Sequence, residues 1–184
     1  MDSEFVTILT QNKTKEYIMN NKNKTLYLTQ AALIAAMYFV LTWVSNLFGL
    51  ASFAVQLRLS EALCVLPFFM PAAVPGLFIG CFLANLSMGA VIWDTVFGSL
   101  ATLIGAFFAS KIKNKYLVPL PTVIANTAIV PFVILYFYTE VQSMGAYFVT
   151  VGFVFLGEVV SAYVLGLLLL FAIDKRKGLF NKKR

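Results

Sequence analysis

Five charged side chains stand alone in the long apolar body of this chain, and they are the residues best suited to do chemistry there. They are Arg58, Glu61, Asp94, Glu140 and Glu158. A charge inside a membrane-spanning segment costs roughly 3 kcal/mol even on lenient insertion scales, so it mostly faces a cavity, a ligand or an opposite charge. Ionised carboxylates accept hydrogen bonds from cations and N–H groups. The pattern therefore predicts a site that binds a polar ligand.

Each of these residues also has a plainer interpretation. Glu158 lies deep in an apolar run, where it either faces a ligand, pairs with another helix or takes part in a proton-coupled step. Asp94 stands where a loop meets a helix and is suited to cap that helix. Arg58 and Glu61 lie three residues apart and could form an exposed pair. Glu140 falls in a predicted outer loop and is expected to be solvated.

Two amides and one indole are further candidates. Asn85 and Asn126 lie in apolar helices, where an amide without hydrogen-bond partners is costly. They are expected either to bond between helices or to contact the ligand. Trp93 falls at a predicted membrane interface, where tryptophans commonly form an aromatic belt, and it could also stack on a flat ligand.

The composition argues against metal, haem and nucleophilic chemistry. The chain has no histidine, and its two cysteines, Cys64 and Cys81, both lie in apolar runs typical of small buried side chains. No serine stands beside a base in a pattern that would activate it. An integral-membrane enzyme is therefore disfavoured, and neither a metal nor a cofactor of its own is expected. A binding or transport protein is favoured.

The elements that position these residues follow from hydropathy. Of the 184 residues, 60% are hydrophobic and 12% are charged, against about 45–50% and 25% in soluble domains. All but one of the fourteen cations fall in three clusters, Lys13–Lys24, Lys111–Lys115 and Lys175–Arg184. The uncharged stretches between them reach or exceed the roughly 20 residues of a bilayer span. The chain is thus predicted to contact membrane lipid, and no nucleic-acid partner is expected despite the net charge of +6.

Parity fixes the predicted number of membrane crossings. Short loops rich in lysine and arginine stay in the cytoplasm, so all three clusters are expected on one side. An odd number of crossings must then lie between Ser60 and Ser110. One crossing would leave most of this apolar segment unexplained, so three are predicted. The sequence predicts an all-α protein with six transmembrane helices and both termini in the cytoplasm, at residues 26–47, 60–70, 72–90, 94–110, 116–138 and 145–173. The second is too short to span alone, and prolines interrupt it.

The membrane domain is predicted over residues 25–175, between a polar N-terminal tail at 1–24 and a basic tail at 176–184. Residues 1–24 lack the apolar core and cleavage site of a signal peptide. Met19 is a second potential start, so residues 1–18 are interpreted either as a mis-assigned extension or as a disordered tail.

Small residues on the first helix form two overlapping pairs. Ala31 and Ala35 are four residues apart, as are Ala32 and Ala36. This spacing lets another helix approach closely. The pattern is common in membrane helices, and packing within the bundle explains it as well as contact with a partner protein.

The chain resembles the QueT family of substrate-binding S-components from energy-coupling-factor (ECF) transporters. The resemblance covers about Thr25 to Lys175, and its most specific part is Gln56 to Gly80. It rests on VQLRLSEAL at 55–63, LP at 66–67, PAAVPGLFIG at 71–80, Asn85, Asp94 and FGSLATL at 97–103. The alanine pairs fit this family but would not alone identify it.

The resemblance implies a subunit that binds substrate and hydrolyses no ATP itself. S-components pair with a transmembrane coupling protein and two ATP-binding-cassette ATPases, and they topple in the membrane to release a vitamin-like molecule inside. No Walker A pattern occurs in the chain, consistent with that role. In the family the alanine stripe contacts the coupling protein, which implies that function for Ala31, Ala32, Ala35 and Ala36.

The resemblance also implies a substrate class, the 7-deazaguanine precursors of queuosine. One carboxylate can accept the N–H and amine of a guanine-like edge, and Asn85 or Asn126 can donate to its carbonyl. An aminomethyl group would bring a cation for a second carboxylate, and Trp93 or Tyr163 could stack on the ring. Cobalamin or cobinamide remains an alternative substrate, although a corrinoid needs a wide mouth. A stand-alone transporter driven by protons through Glu158 is a further alternative, without the inverted repeat common in such folds.

Overall fold

The computed structural model describes residues 3–50, 57–138 and 143–176, and all regular structure within them is helical. Helix α1 is followed by a 3₁₀ helix, called here the short helix, and then by α2, α3 and α4. Helices α5 and α6 are joined without a break by six residues in π-helical geometry, called the π segment. The bounds are α1 Ser3–Leu47, the short helix Leu59–Phe68, α2 Ala73–Ser87, α3 Ile92–Ala109, α4 Leu120–Tyr138, α5 Met144–Glu158, the π segment Val159–Val164 and α6 Leu165–Asp174.

Four helical stretches are long and apolar enough to cross a bilayer. They are Asn21–Leu47, Ile92–Ala109, Lys115–Phe137 and Met144–Asp174, and two shorter apolar helices accompany them, Leu59–Phe68 and Ala73–Ser87. The prediction of an all-α membrane protein is confirmed. Six complete crossings and cytoplasmic termini stay predictions, because the two shorter helices fall below the length of a span.

The first helix starts earlier than predicted. Helix α1 begins at Ser3 and continues without interruption through the polar residues into the apolar segment. The two interpretations of residues 1–18, a mis-assigned extension or a disordered tail, stay predictions. Lysine, glutamate and glutamine are good helix formers, and an established apolar helix extends outward without a new nucleation cost.

Close contacts fix the directions of the helices. A Cβ added at Gly76 would lie 2.7 Å from the carbonyl oxygen of Ala31, and one added at Gly80 would lie 2.8 Å from that of Ala35. The contact moves four residues forward on both helices, so α1 and α2 run parallel. The short helix therefore brings the chain back from the end of α1 to the start of α2. The next three helices then alternate in direction, since α3 begins just after α2 ends.

One end of the bundle carries the basic residues. The Lys115 ammonium lies 2.6 Å from the Asp174 carboxylate, which joins the loop after α3 to the end of α6. The beginning of the apolar part of α1 lies at that same end, because Gln30 and Ile34 share a groove with Ile173. We call it the basic end. The three basic clusters are predicted to lie on one side of the membrane. Those of their residues that the structure describes belong to elements that meet at this one end of the bundle.

The structure separates the two alanine pairs. Ala31 and Ala35 are each 8% exposed and face the glycines of α2. Ala32 and Ala36, one residue further on, are exposed. Successive residues on an α-helix are about 100° apart, so only one pair can face α2. The expectation that all four alanines meet a partner is therefore wrong for Ala31 and Ala35, which pack the bundle instead.

Candidate ligand-binding site

Polar side chains from four elements converge on one internal cavity. The cavity lies between the short helix, α3, α4 and α5, towards the end of the bundle opposite the basic end. It contains about 30 Å³ of water-sized free space, enough for one or two water molecules. Its lining is Arg58, Glu61, Asp94, Gly98, Thr102, Asn126, Val130, Val154 and Glu158.

Glu61 enters the cavity from the first turn of the short helix. It is 2% exposed, and its Oε1 accepts a hydrogen bond of 2.5 Å from the Tyr38 hydroxyl of α1. The second oxygen, Oε2, is buried and accepts no hydrogen bond of normal geometry, although the Asn126 amide also interacts with this carboxylate. The short helix is itself buried over most of its length. One oxygen of a fixed carboxylate is therefore available to a ligand.

Glu158 reaches the cavity from the last residue of α5. Its Oε1 accepts a hydrogen bond of 2.9 Å from the Asn126 side chain of α4, and its Oε2 is buried without a partner. Glu158 and Glu61 also repel each other electrostatically. Buried acceptors without donors are costly, and two carboxylates in this state are unusual. The arrangement suits a ligand that brings several N–H donors.

Arg58 supplies the positive charge of the cavity. Its guanidinium Nη1 donates to Asn85 Oδ1 at 3.3 Å, and it interacts electrostatically with Asp94 and Glu61. Its backbone N–H donates to the Ser161 hydroxyl at 3.1 Å. One guanidinium faces three carboxylates in the lining. If all are ionised, two negative charges are in excess, which favours a cationic ligand.

Asp94 lies in the first turn of α3 rather than at its N-cap. The N-cap is Val91, whose own side chain makes no capping hydrogen bond. The prediction that Asp94 is the N-cap residue is therefore wrong, although a carboxylate in the first turn still suits the helix dipole. Gly98, one turn later, leaves room for it: a Cβ there would lie 3.7 Å from Asp94 Oδ1 and 3.3 Å from Asn85 Nδ2.

Two aromatic candidates lie outside the cavity. Trp93 is 48% exposed and stacks between Phe97 and Phe137, with ring centroids 6.1 and 5.8 Å away. Tyr163 packs against an apolar core cluster built around Val118 and Leu170. Neither contributes to the lining, so the prediction that they stack on a bound base is not supported. Trp93 precedes Asp94 by one residue, which turns its side chain away by about 100°.

Sequence reasoning missed Tyr38, Thr102 and Ser161. Tyr38 is 1% exposed and holds Glu61, Thr102 lines the cavity, and Ser161 holds the backbone at Arg58. A signal for Tyr38 was present in the sequence. Ala31, Ala35, Tyr38, Thr42 and Ser45 follow the spacing of one helix face, and all five are buried.

Glu140 falls outside the described residues, so its predicted exposure is untested. The remaining candidates, Arg58, Glu61, Asn85, Asp94, Asn126 and Glu158, form one connected group around the cavity. Charged groups enclosed by apolar helices are typical of proteins that bind and move a polar solute through a membrane. The fold and the site thus define a multi-pass membrane protein with an internal polar cavity.

Comparison with known proteins names the family. Residues 28–175 match the QueT transporter family, and the chain belongs to it. Members of this family are described as transporters, and the several long apolar helices of this chain agree with a multi-pass protein of the cell membrane. A relative from Lactococcus lactis subsp. cremoris (strain MG1363), named Queuosine precursor transporter QueT, is 32% identical over 100 residues. The match covers 52% of this chain and 58% of the relative. No solved structure matches significantly.

Proposed function

We propose that this protein captures a 7-deazaguanine precursor of queuosine outside the cell and delivers it inside, as the substrate-binding subunit of an ECF-type importer. The observation that carries the proposal is the pair of buried carboxylates, Glu61 and Glu158, each with one oxygen that lacks a donor. The name of the Lactococcus relative supports the same substrate.

The chemistry of the ligand matches that of the lining. A 7-deazaguanine presents a ring N–H and an exocyclic amine side by side, which a carboxylate can accept together. An aminomethyl substituent adds an ammonium group. One of the two glutamates is then suited to the base edge and the other to the ammonium, and this ligand offsets part of the excess negative charge.

The size and polarity of the cavity weigh against a corrinoid. Cobalamin needs a wide opening, whereas this cavity is small and its polar groups point at one another.

Energy coupling through partner proteins is the second part of the proposal. The chain contains no Walker A sequence, so ATP hydrolysis would come from two ABC ATPases joined through a membrane coupling protein. Ala32 and Ala36 are exposed on α1 and offer a flat surface for that protein. The basic end is proposed to face the cytoplasm, which leaves the cavity nearer the outside.

Mass spectrometry of the purified protein tests this proposal. Protein expressed with its partner subunits and isolated in mild detergent should release a 7-deazaguanine on denaturation, and two ATPase subunits should co-purify. Release of a corrinoid would contradict the proposed substrate. Purification without any ATPase, together with proton-driven uptake by the chain alone, would instead support a secondary transporter.

A further inference from the structure

The π segment breaks the regular geometry of the last helix directly after Glu158. Its six residues, Val159–Val164, form the only π-helical stretch in the described part of the chain. π-helices make up well under about 1% of residues in proteins and cluster at functional sites. The α5–α6 helix is otherwise long, apolar and continuous, so its apolar character alone does not require such a break.

The π segment keeps one face of the helix turned inward. Val154 and Glu158 line the cavity, and Ala162, Gly166 and Leu170 are buried at the same spacing of four. In a regular α-helix, side chains four residues apart differ in direction by about 40°. Over the four steps from Val154 to Leu170 this difference would add up to about 160°. A π turn holds an extra residue and recovers roughly 100° of that rotation. Without it, Glu158 and the buried residues after it could not face the same side.

The same segment holds the short helix. Ser161 is 2% exposed, and its hydroxyl accepts the backbone N–H of Arg58 at 3.1 Å. The Cys64 thiol donates a hydrogen bond to the carbonyl oxygen of Ala162, with sulfur and oxygen 3.8 Å apart. A Cβ added at Gly166, just beyond the π segment, would lie 3.1 Å from Val65. These contacts reach the residue that precedes the short helix and two residues in its middle.

We infer that the π segment, through Ser161, is the positioning element that sets Glu61 and Glu158 at the separation the ligand requires. Glu158 directly precedes the segment, and Glu61 lies on the short helix that the segment holds. This inference rests on the proposed function for the identity of the ligand. Ser161 itself is absent from the cavity lining, so it acts through the residues that it positions.

Replacing Ser161 by alanine isolates this role, and Ser99 offers a matched control. Ser99 is also buried, at 1% exposure, but its hydroxyl bonds only to the carbonyls of Thr95 and Val96 in its own helix. Ser161→Ala leaves the buried Arg58 N–H without an acceptor. It should free the short helix to shift relative to Glu158. Ser99→Ala should leave the cavity unchanged.

Two measurements on the full-length protein in detergent decide the matter. Calorimetric titration compares 7-aminomethyl-7-deazaguanine, which can use both glutamates, with unsubstituted 7-deazaguanine, which needs one. Ser161→Ala should weaken binding of the aminomethyl compound about tenfold and reduce the preference for it, whereas Ser99→Ala should change neither by more than about twofold. An unchanged preference in Ser161→Ala would overturn the inference.

Hydrogen exchange on the ligand-free protein separates this inference from the proposed function. Backbone amides of residues 57–66 should exchange at least about tenfold faster in Ser161→Ala than in wild type or Ser99→Ala. Unchanged exchange would show that Ser161 does not hold the short helix, whatever the protein binds. If wild type binds neither compound, the substrate proposal fails, and faster exchange would still support the structural role of Ser161.

Discussion

The Glu158→Gln substitution tests the carboxylate that the cavity leaves half unsatisfied. Glu158 Oε1 is held by Asn126 at 2.9 Å, so the substituted amide can keep that bond by accepting through its own oxygen. Its NH₂ group would then replace the free Oε2. A ligand N–H would meet a donor where wild type offers an acceptor, and the negative charge would be lost.

The expected loss of affinity follows from these contacts. Removing one partner of a buried charged hydrogen bond costs about 2–5 kcal/mol. With tenfold in affinity for each 1.4 kcal/mol, Glu158→Gln should weaken binding of 7-aminomethyl-7-deazaguanine by roughly 30-fold or more. Thermal stability without ligand should not fall, because the substitution removes one of the three carboxylates that share a small cavity with a single guanidinium.

Calorimetric titration measures the loss, and Asp174→Asn is a suitable control. Asp174 is an acidic residue near the end of the same continuous helix, but it pairs with Lys115 at the basic end. Its substitution should leave affinity unchanged. Unaltered affinity in Glu158→Gln, with measurable binding in wild type, would refute the assignment of Glu158 to the ligand. A large loss in both variants would indicate a general defect of folding instead.

Three further results are expected. Tyr38→Phe should lower the melting temperature, because a buried carboxylate oxygen loses its donor at a cost of about 1–3 kcal/mol; an unchanged melting curve would count against that hydrogen bond. Ala32→Trp should prevent co-purification of ATPase subunits while ligand binding by the isolated chain persists, whereas Ala35→Trp should prevent folding because α2 lies against it. Cysteines placed at Lys113 and Met144 should be labelled from opposite sides of the membrane, and labelling of both from outside would contradict the proposed topology.

Much of the architecture could be predicted from the positions of the charges. A membrane excludes unpaired charge, so uncharged stretches reveal the helices and the rare internal charges reveal the site. Arg58, Glu61 and Glu158, three of the residues selected in this way, line one cavity, and their contact with a ligand stays a prediction. The same reasoning identified residues 60–70 as too short to span, and the structure shows a buried 3₁₀ helix there.

The remaining features depend on helix rotation, which composition does not determine. The two alanine pairs on α1 are chemically identical, and only the glycines of α2 show that Ala31 and Ala35 face inward. Trp93 and Tyr163 have suitable side chains but the wrong orientation, the first because it adjoins Asp94. The π segment changes the direction of every residue after Glu158, and its apolar sequence gave no sign of it.

The cavity is proposed to bind a donor-rich, cationic 7-deazaguanine. Calorimetric titration of the wild-type protein with 7-aminomethyl-7-deazaguanine and, separately, with cobalamin tests this proposal. We expect saturable binding of the deazaguanine at one molecule per chain and no heat of binding with cobalamin. Tight binding of cobalamin without measurable binding of the deazaguanine would contradict it.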